Sequence, residues 1–243
     1  MSAFPFVYLA SQSPRRQALL DQIGVAYQVL LPVDAEAAEA LEAVLPHEPA
    51  LKYVKRVTRL KVLAALEQIQ MQSLEAAPVL CADTTVVVEG AVLGKPAERA
   101  DFGRMLRKLS GREHRVLSAV ALAHDGGRAL RLSISRVRFR ELDDAEIERY
   151  WQTGEPCDKA GGYAIQGYGA VFVTELVGSY SGVMGLPLHE TAGLLIAAGV
   201  PLQCDEGPEY RSFRLGLFGL DKLYDVDASV ARLERALDQV LAA

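Results

Sequence analysis

The chain has 243 residues, of which 50% are hydrophobic and 23% charged, and its formal net charge at pH 7 is −5. This length suffices for a full hydrophobic core, built as one large α/β domain or as two lobes. The acidic balance excludes a surface that binds nucleic acid broadly, so any anion site must be local. No apolar run approaches the ~20 residues that span a bilayer, and the first residues lack the basic region of a secretory signal. We therefore expect a cytoplasmic protein without a membrane-spanning segment.

The cysteines exclude two common kinds of site. They are odd in number and lack the spacing of zinc ligands, which argues against both a disulfide framework and a zinc site. We expect Cys81, Cys157 and Cys204 to be free thiols in the core.

The first predicted elements are a short buried strand at residues 6–10 and a helix that begins after Ser13. Ser13 suits the N-cap, and Pro14 suits the first helical position because it has no N–H to satisfy. The free N–H groups of such a helix start, next to Arg15 and Arg16, attract an anion. An ordinary capped helix has the same pattern, so this stretch alone leaves a phosphate site open.

The rest of the chain alternates between strand and helix patterns. In order, we predict an apolar segment at 27–33, an acidic stretch at 34–45, a helix at 49–70, a strand at 79–88, a helix at 98–109, strands at 115–123 and 128–140, a helix at 143–151, a glycine-rich loop at 159–169, a strand at 170–176, a glycine-rich turn at 178–185 and a helix at 187–198. This order, with an antiparallel pair in the middle, predicts an α/β fold with a mixed sheet.

The sequence pattern changes after Pro201. We expect a main domain at residues 1–204 and a C-terminal extension at 205–243, made of a strand-like segment and a helix that begins after Asp227. Packing or self-association and a functional role of its own both stay open for this extension.

Two charged residues stand where apolar residues are expected. Asp83 interrupts an otherwise apolar strand, where a charge is costly unless it is paired or bound to a metal. It is a candidate metal ligand or general base, with a surface aspartate at a strand end as the alternative.

Lys61 follows Val57 by four residues on the apolar face of a helix. Its ammonium must therefore extend to solvent or meet an acid or a phosphate inside.

Three further features are candidates for the same site. Lys95 lies between a glycine and a proline, which suits a lysine presented from a fixed turn. Glu36, Glu39 and Glu42 are three residues apart, and one of them could complete a divalent-metal site with Asp83, although a solvated helix face has the same spacing. Gln166 lies in a glycine-rich loop that is neither a Walker A loop nor a dinucleotide fingerprint, and its amide can read the edge of a base.

Seven short motifs, in this order and at these distances, resemble those of the Maf family over about residues 6 to 200. They are Ser11-Gln-Ser-Pro-Arg-Arg16, Ala82-Asp-Thr84, Leu93-Gly-Lys-Pro96, Leu109-Ser-Gly111 with His114, Asp158-Lys-Ala-Gly161, Ile165-Gln-Gly167 and Gly185-Leu-Pro187. The resemblance implies an α/β enzyme similar to inosine triphosphate pyrophosphatase, with an elongated mixed sheet and helices that form two lobes around a cleft. It also implies a homodimer that hydrolyses a nucleoside triphosphate to the monophosphate and pyrophosphate with a divalent metal, Mg²⁺ or Mn²⁺.

The motifs at residues 82–84 and 165–167 resemble the family's subgroup that acts on dTTP and UTP. This resemblance implies house-cleaning of the nucleotide pool, with CTP and modified pyrimidine nucleotides as further candidate substrates. The 7-methyl-GTP subgroup typically carries Ser-Asp-Gln and a glutamate-type loop instead. Hydrolysis of 7-methyl-GTP and a nucleotide-binding role in septum formation are the alternative functions.

The resemblance also implies roles for individual residues. Asp83 matches the family's proton acceptor, and whether it acts as the base or as a metal ligand is left open. The other matched positions are Lys61 and Lys95 for catalysis and phosphate handling, Glu36 with Asp83 for the metal, and Ser11, Arg15, Arg16, Thr84 and Gln166 for substrate binding and specificity. The family's acidic pair reads Asp34-Ala35-Glu36 here, before a lengthened loop to Glu48, and Glu36 is the better match of the two.

Overall fold

The computed structural model describes residues 4–202, so the predicted extension at 205–243 and Cys204 lie outside the described residues. In the described range no helix is both long enough and apolar enough to cross a membrane. The elements are β1 (Val7–Leu9), α1 (Pro14–Gln22), β2 (Tyr27–Val29), α2 (Ala35–Ala40), α3 (Ala50–Met71), β3 (Val79–Val88), β4 (Ala91–Leu93), α4 (Arg99–Leu109), β5 (Glu113–His124), β6 (Gly127–Phe139), α5 (Asp144–Gln152), β7 (Val173–Val177), α6 (Tyr180–Met184) and α7 (Leu188–Ala197).

A seven-stranded mixed sheet forms the centre of the fold. Six strands follow the order β2-β1-β3-β5-β6-β7, and β4 pairs with β3. The pairs of β1 with β2 and with β3 are parallel, whereas the remaining pairs are antiparallel. The predicted α/β fold with a mixed sheet is therefore confirmed.

Side chains of β3 alternate between two covered faces of this sheet, as the pleat requires. Cys81 and Val87 face α3, which packs on one side of the sheet. Leu80 faces the opposite side and packs with α1 and α7, whereas Val86 packs on that side with α4 and α5. The helices on this second side thus form two separate clusters, which meet the sheet at either end of β3.

One edge of β3 is left open between two short neighbours. β1 pairs with β3 only at Val79 and Leu80, and β4 pairs with it only at Val86 to Val88. Residues 81–85 therefore have no strand partner on that edge among the described strands, although β5 pairs along the other edge. Ligands of open α/β sheets bind in such a crevice, where neighbouring connections diverge.

The structure differs from the predicted elements near the C-terminal end of the sheet. The predicted strand at 170–176 begins as a 3₁₀ turn at Tyr168–Phe172, and only Val173–Val177 is extended. The predicted glycine-rich turn at 178–185 contains α6, because Ser179 accepts a hydrogen bond from the Gly182 N–H and so caps a short helix. The expectation of core thiols holds for Cys81 but is wrong for Cys157, which is exposed.

Candidate active site

A cavity of about 560 Å³ opens at the unpaired edge of β3. Its size falls within the range of small-molecule sites in proteins. Eight of the nine predicted site residues line it, which brings together side chains from widely separated parts of the chain: Ser11, Arg15, Arg16, Lys61, Asp83, Thr84, Lys95 and Gln166. Glu36 is the exception.

The buried carboxylate of Asp83 is paired at the floor of this cavity. Lys61, on the sheet-facing side of α3, donates to Asp83 Oδ1 at 2.7 Å and to Glu42 Oε1 at 2.6 Å. Lys95 donates to Glu42 Oε2 at 3.3 Å. Two acidic and two basic side chains therefore form one continuous chain of charge-assisted hydrogen bonds.

The structure brings Glu42, and not Glu36, to the lysines. Glu36 is exposed in the first turn of α2 and lies outside the cavity lining, whereas Glu39 and Glu42 line the cavity. Burial alone would raise the pKa of Glu42, but Lys61 and Lys95 outweigh that effect and hold its pKa below the usual value. Glu42 is thus an ionised carboxylate facing Asp83 across the Lys61 ammonium.

Two side chains of α3 fix the loop that carries Glu42. Tyr53 donates its hydroxyl to the carbonyl of Glu42, at 2.9 Å. Arg56 donates to the carbonyls on either side, Leu41 at 3.3 Å and Ala43 at 2.8 Å, and also pairs with Glu48 through two contacts of 2.7 Å. Three consecutive carbonyls, at residues 41–43, are therefore held by α3. Sequence reasoning missed this role, because the charge pattern around Arg56 has the periodicity of a solvated helix face.

The start of α1 lies at the same cavity. Pro14 is the first helical residue, as predicted, but the Ser13 hydroxyl forms no capping hydrogen bond. Instead, Ser11 Oγ accepts from the Ser13 N–H and from Arg16, each at 3.1 Å. Arg16 also donates to the carbonyl of Gly185 at 2.8 Å, which fixes its guanidinium.

Arg15 joins the start of α1 to the loop that follows α5. Its guanidinium donates to Asp158 Oδ2 at 3.2 Å. Lys159 contacts the other carboxylate oxygen of Asp158, so this acid is shared between two cations that line the cavity. An anion that entered the cavity would meet both cations, and the planar guanidinium of Arg15 suits oxyanions such as phosphate.

Thr84 points to the face of β3 opposite Asp83. Its hydroxyl lies 3.0 Å from Ser118 Oγ on β5, and Ser118 donates to the carbonyl of Gly182 at 2.6 Å. Sequence reasoning did not identify Ser118, whose pairing opposite Thr84 follows from the β3–β5 register. Asp83 and Thr84, which are adjacent on β3, thus place a carboxylate on one face of the sheet and a hydroxyl on the other.

Gln166 lies on the loop between two 3₁₀ turns that precede β7, at Ala160–Gly162 and at Tyr168–Phe172. It is exposed, it lines the cavity, and its side-chain amide forms no hydrogen bond within residues 4–202. The amide therefore keeps both its donor and its acceptor for a ligand.

Comparisons with known proteins show which family this chain belongs to. A family model described as Maf-like protein matches residues 6–198. A dTTP/UTP pyrophosphatase of Polaromonas sp. strain JS666 is 56% identical over 202 residues, which cover 83% of this chain and 100% of the relative. The dTTP/UTP pyrophosphatases of Albidiferax ferrireducens and Ralstonia nicotianae are 53% and 55% identical, over 80% and 82% of this chain and 97% and 96% of their own lengths.

Among solved structures, the chain is similar to that of the Staphylococcus aureus Ham1 protein. The TM-score is 0.34 at 14% identity, over 55% of this chain and 71% of that one.

The family match spans the sheet, both helical clusters and all the cavity residues named above. The resemblance inferred from the seven sequence motifs is thereby confirmed. Together with relatives that are more than half identical over nearly their whole lengths, it shows that the chain belongs to the Maf family.

Proposed function

We propose that this protein is a nucleoside triphosphate pyrophosphatase that hydrolyses dTTP and UTP to the monophosphate and pyrophosphate. The observation that carries the proposal is the convergence of Asp83 and Glu42 with Lys61 and Lys95 in one cavity. The choice of nucleotides rests on the relatives, which are named dTTP/UTP pyrophosphatases.

The cations account for binding of the triphosphate. Lys61, Lys95 and Arg15 all line the cavity; the side chains of Lys61 and Arg15 are largely buried, whereas that of Lys95 is about half exposed. Preorganised positive groups in a partly water-excluded site stabilise the charge that develops as the α–β phosphoanhydride breaks. Asp158, which pairs with Arg15 before substrate arrives, keeps this guanidinium in place.

Asp83 and Glu42 would hold a hard divalent cation through carboxylate oxygens; within residues 4–202, Asp83 Oδ2 is the one oxygen of the pair that accepts no hydrogen bond from a lysine. No group of three or more histidine, cysteine or acidic side chains within the described residues is placed to hold a metal by itself. Mg²⁺ and Mn²⁺ suit this situation, because Mg²⁺ in particular takes one or two carboxylates and completes its shell with substrate phosphates and water. When bound there, such an ion neutralises charge on the triphosphate.

We assign the proton transfer to Asp83. As water attacks and the bond between the α- and β-phosphates breaks, the Asp83 carboxylate accepts the proton that the water loses. Glu42 supplies a second carboxylate for the cation, which leaves Asp83 able to act as the base. Lys61 donates a hydrogen bond to each of the two acids and so orients both carboxylates.

Gln166 and Thr84 are proposed to select the base. An amide that donates and accepts is complementary to the edge of uracil or thymine, which also carries both kinds of group. A wrong base leaves such polar groups unpaired, at a cost of about 1–3 kcal/mol for each. The relatives do not favour hydrolysis of 7-methyl-GTP or a purely regulatory role in septum formation. The homodimer and the cytoplasmic location stay predictions.

A nucleotide panel tests this function. Pyrophosphate release is measured from dTTP, UTP, CTP, GTP and 7-methyl-GTP, with Mg²⁺, with Mn²⁺ and with EDTA. We expect dTTP and UTP to be hydrolysed at least about tenfold more efficiently than GTP, and EDTA to abolish release. Fastest turnover of 7-methyl-GTP, or undiminished turnover in EDTA, would contradict the proposal.

A further inference from the structure

The loop that carries Gln166 is held by a residue outside the cavity lining. Gln166 and Ala164 line the cavity, but Glu155, in the segment that follows α5, does not. Because the Gln166 amide has no hydrogen bond within residues 4–202, its direction depends on the backbone on either side of it.

The Glu155 carboxylate binds that backbone on the C-terminal side of Gln166. Its Oε2 accepts from the Tyr168 N–H at 2.9 Å, and its Oε1 accepts from the Gly169 N–H at 3.1 Å. Oε1 also accepts from the Tyr150 hydroxyl at 2.5 Å. Three donors therefore converge on one carboxylate.

Tyr150 extends this network to the N-terminal side of Gln166. Its hydroxyl oxygen accepts from the Ala164 N–H at 3.0 Å while its hydrogen goes to Glu155. The Tyr150 ring is fully buried in the cluster of α4 and α5, so the anchor of the loop belongs to the core. The backbone is thus fixed two residues before Gln166 and again two and three residues after it.

The glycines of this loop allow the close contact. A Cβ on Gly167 would lie 2.2 Å from Glu155 Oε2, and one on Gly169 would lie 2.8 Å from the carbonyl of Ala164 and 2.9 Å from the Tyr150 hydroxyl. A side chain at either position would force its neighbours to shift, so the two glycines permit the close approach of the Glu155 carboxylate at 167 and of the Tyr150 hydroxyl at 169.

The charge state of Glu155 agrees with this geometry. Burial would raise its pKa, but the hydrogen bonds from Tyr150, Tyr168 and Gly169, together with Lys159, lower it below the usual value. Glu155 is therefore an acceptor only, as three converging donors require.

We propose that Glu155 is a positioning residue for nucleotide selection: through the backbone of residues 164–169 it holds the Gln166 amide in the orientation that pairs with a pyrimidine. The inference rests on the proposed function and extends it to a residue that does not touch the substrate.

The first test is Glu155→Gln, which keeps the size and shape of the side chain. It replaces one carboxylate oxygen with an amide N–H₂, which then faces a group that also donates. We expect the ratio of kcat/KM for UTP over GTP to fall about tenfold, as the loss of one hydrogen bond of about average strength predicts. The fall should come mainly from a higher KM for UTP, because base contacts act alike in the ground and transition states. An unchanged ratio would overturn the inference.

Glu146→Gln is the matched control. Glu146 lies in the first turn of α5, where it completes a capping box with Asp143 and pairs with Arg140, and within residues 4–202 none of its hydrogen bonds reaches residues 164–169. We expect this variant to lower the melting temperature and to leave the UTP-to-GTP ratio unchanged. Equal falls of the ratio in both variants would reduce Glu155 to a general stability role and overturn the inference.

A double-mutant cycle with Gln166→Ala tests whether Glu155 acts through Gln166. If it does, Glu155→Gln should change the UTP-to-GTP ratio little in the Gln166→Ala background. If the two residues act independently, the fold changes caused by the two substitutions should multiply. A full additional fall in the Gln166→Ala background would overturn the inference. If Glu155→Gln does not fold, Tyr150→Phe replaces it, because it keeps the buried ring and removes the link to Ala164.

Binding without turnover separates this inference from the proposed function. Affinities of α,β-methylene-UTP and α,β-methylene-GTP are measured for the wild type and Glu155→Gln. A wild type that prefers the UTP analogue but hydrolyses no triphosphate would contradict the proposed function alone. A preference that is undiminished in Glu155→Gln would contradict the inference alone, and no preference in the wild type would contradict both.

Discussion

Asp83→Asn is expected to lower the rate of pyrophosphate release from dTTP about a thousandfold, within the range of effects measured for general bases. Asparagine has nearly the same volume as aspartate but cannot take up a proton from water. Asp83 is 6% exposed and Ala82 beside it on β3 is fully buried, so bulk solvent has little access to replace the lost base.

The fold is expected to survive this change. Removal of one partner of a buried ion pair is usually costly because the other charge is left alone. Lys61, however, keeps its 2.6 Å contact with Glu42 in the variant, so its ammonium stays paired. A melting temperature within a few degrees of the wild type, measured by circular dichroism, checks this expectation.

Asp144→Asn is the matched control for Asp83→Asn. Asp144 lies at the start of α5 with a side chain that is 77% exposed, and its partner is Arg107 on the surface. Pyrophosphate release by this variant should equal that of the wild type. Turnover by Asp83→Asn close to the wild-type rate would remove Asp83 from the mechanism.

Glu42→Gln is expected to lower turnover about a hundredfold, the size of effect seen when one electrostatic group of an active site is removed. The amide neither neutralises Lys61 and Lys95 nor replaces a carboxylate ligand of a divalent cation. We also expect the Mg²⁺ concentration for half-maximal activity to rise, which a titration from micromolar to millimolar Mg²⁺ measures.

Glu36→Gln is the control for this prediction, because Glu36 was the metal ligand implied by the family resemblance. Its side chain is exposed on α2 and lies outside the cavity lining, so the variant should keep both wild-type turnover and the wild-type Mg²⁺ titration. An impaired Glu36→Gln beside a fully active Glu42→Gln would reverse the assignment.

The sequence predicted the elements that carry strong periodicity. The bounds of β3 agree with the prediction, and those of α3 differ by one residue at each end, because a long apolar run and a long amphipathic pattern leave few alternatives. Asp83 and Lys61 were recognisable for the same reason, since each places a charge in a buried pattern. Their direct contact is a consequence of α3 packing on the odd-numbered face of β3.

The choice between Glu36 and Glu42 could not be made from the sequence. Both lie in one acidic stretch, and nothing local distinguishes them. The position of Glu42 is set by Tyr53 and Arg56, which bind the carbonyls of residues 41–43 from a helix that begins only at Ala50. Such contacts depend on the path of the intervening loop, which periodicity does not describe.

The network around Glu155 was hidden for a similar reason. A glycine-rich loop indicates close approach, but the sequence does not say what approaches. The carboxylate that fills this space comes from the segment after α5, 11 residues before Gln166, and its partners include the buried Tyr150. The 3₁₀ turn at Tyr168–Phe172, whose last three residues were predicted as strand, begins with the two residues whose N–H groups donate to Glu155.

Product analysis of dTTP hydrolysis tests the central claim most directly. The enzyme is incubated with dTTP and Mg²⁺, and nucleotides, pyrophosphate and phosphate are separated and quantified over the first turnovers. We predict dTMP and pyrophosphate in equal amounts, since the proposed reaction breaks the bond between the α- and β-phosphates. Formation of dTDP and inorganic phosphate would contradict this account.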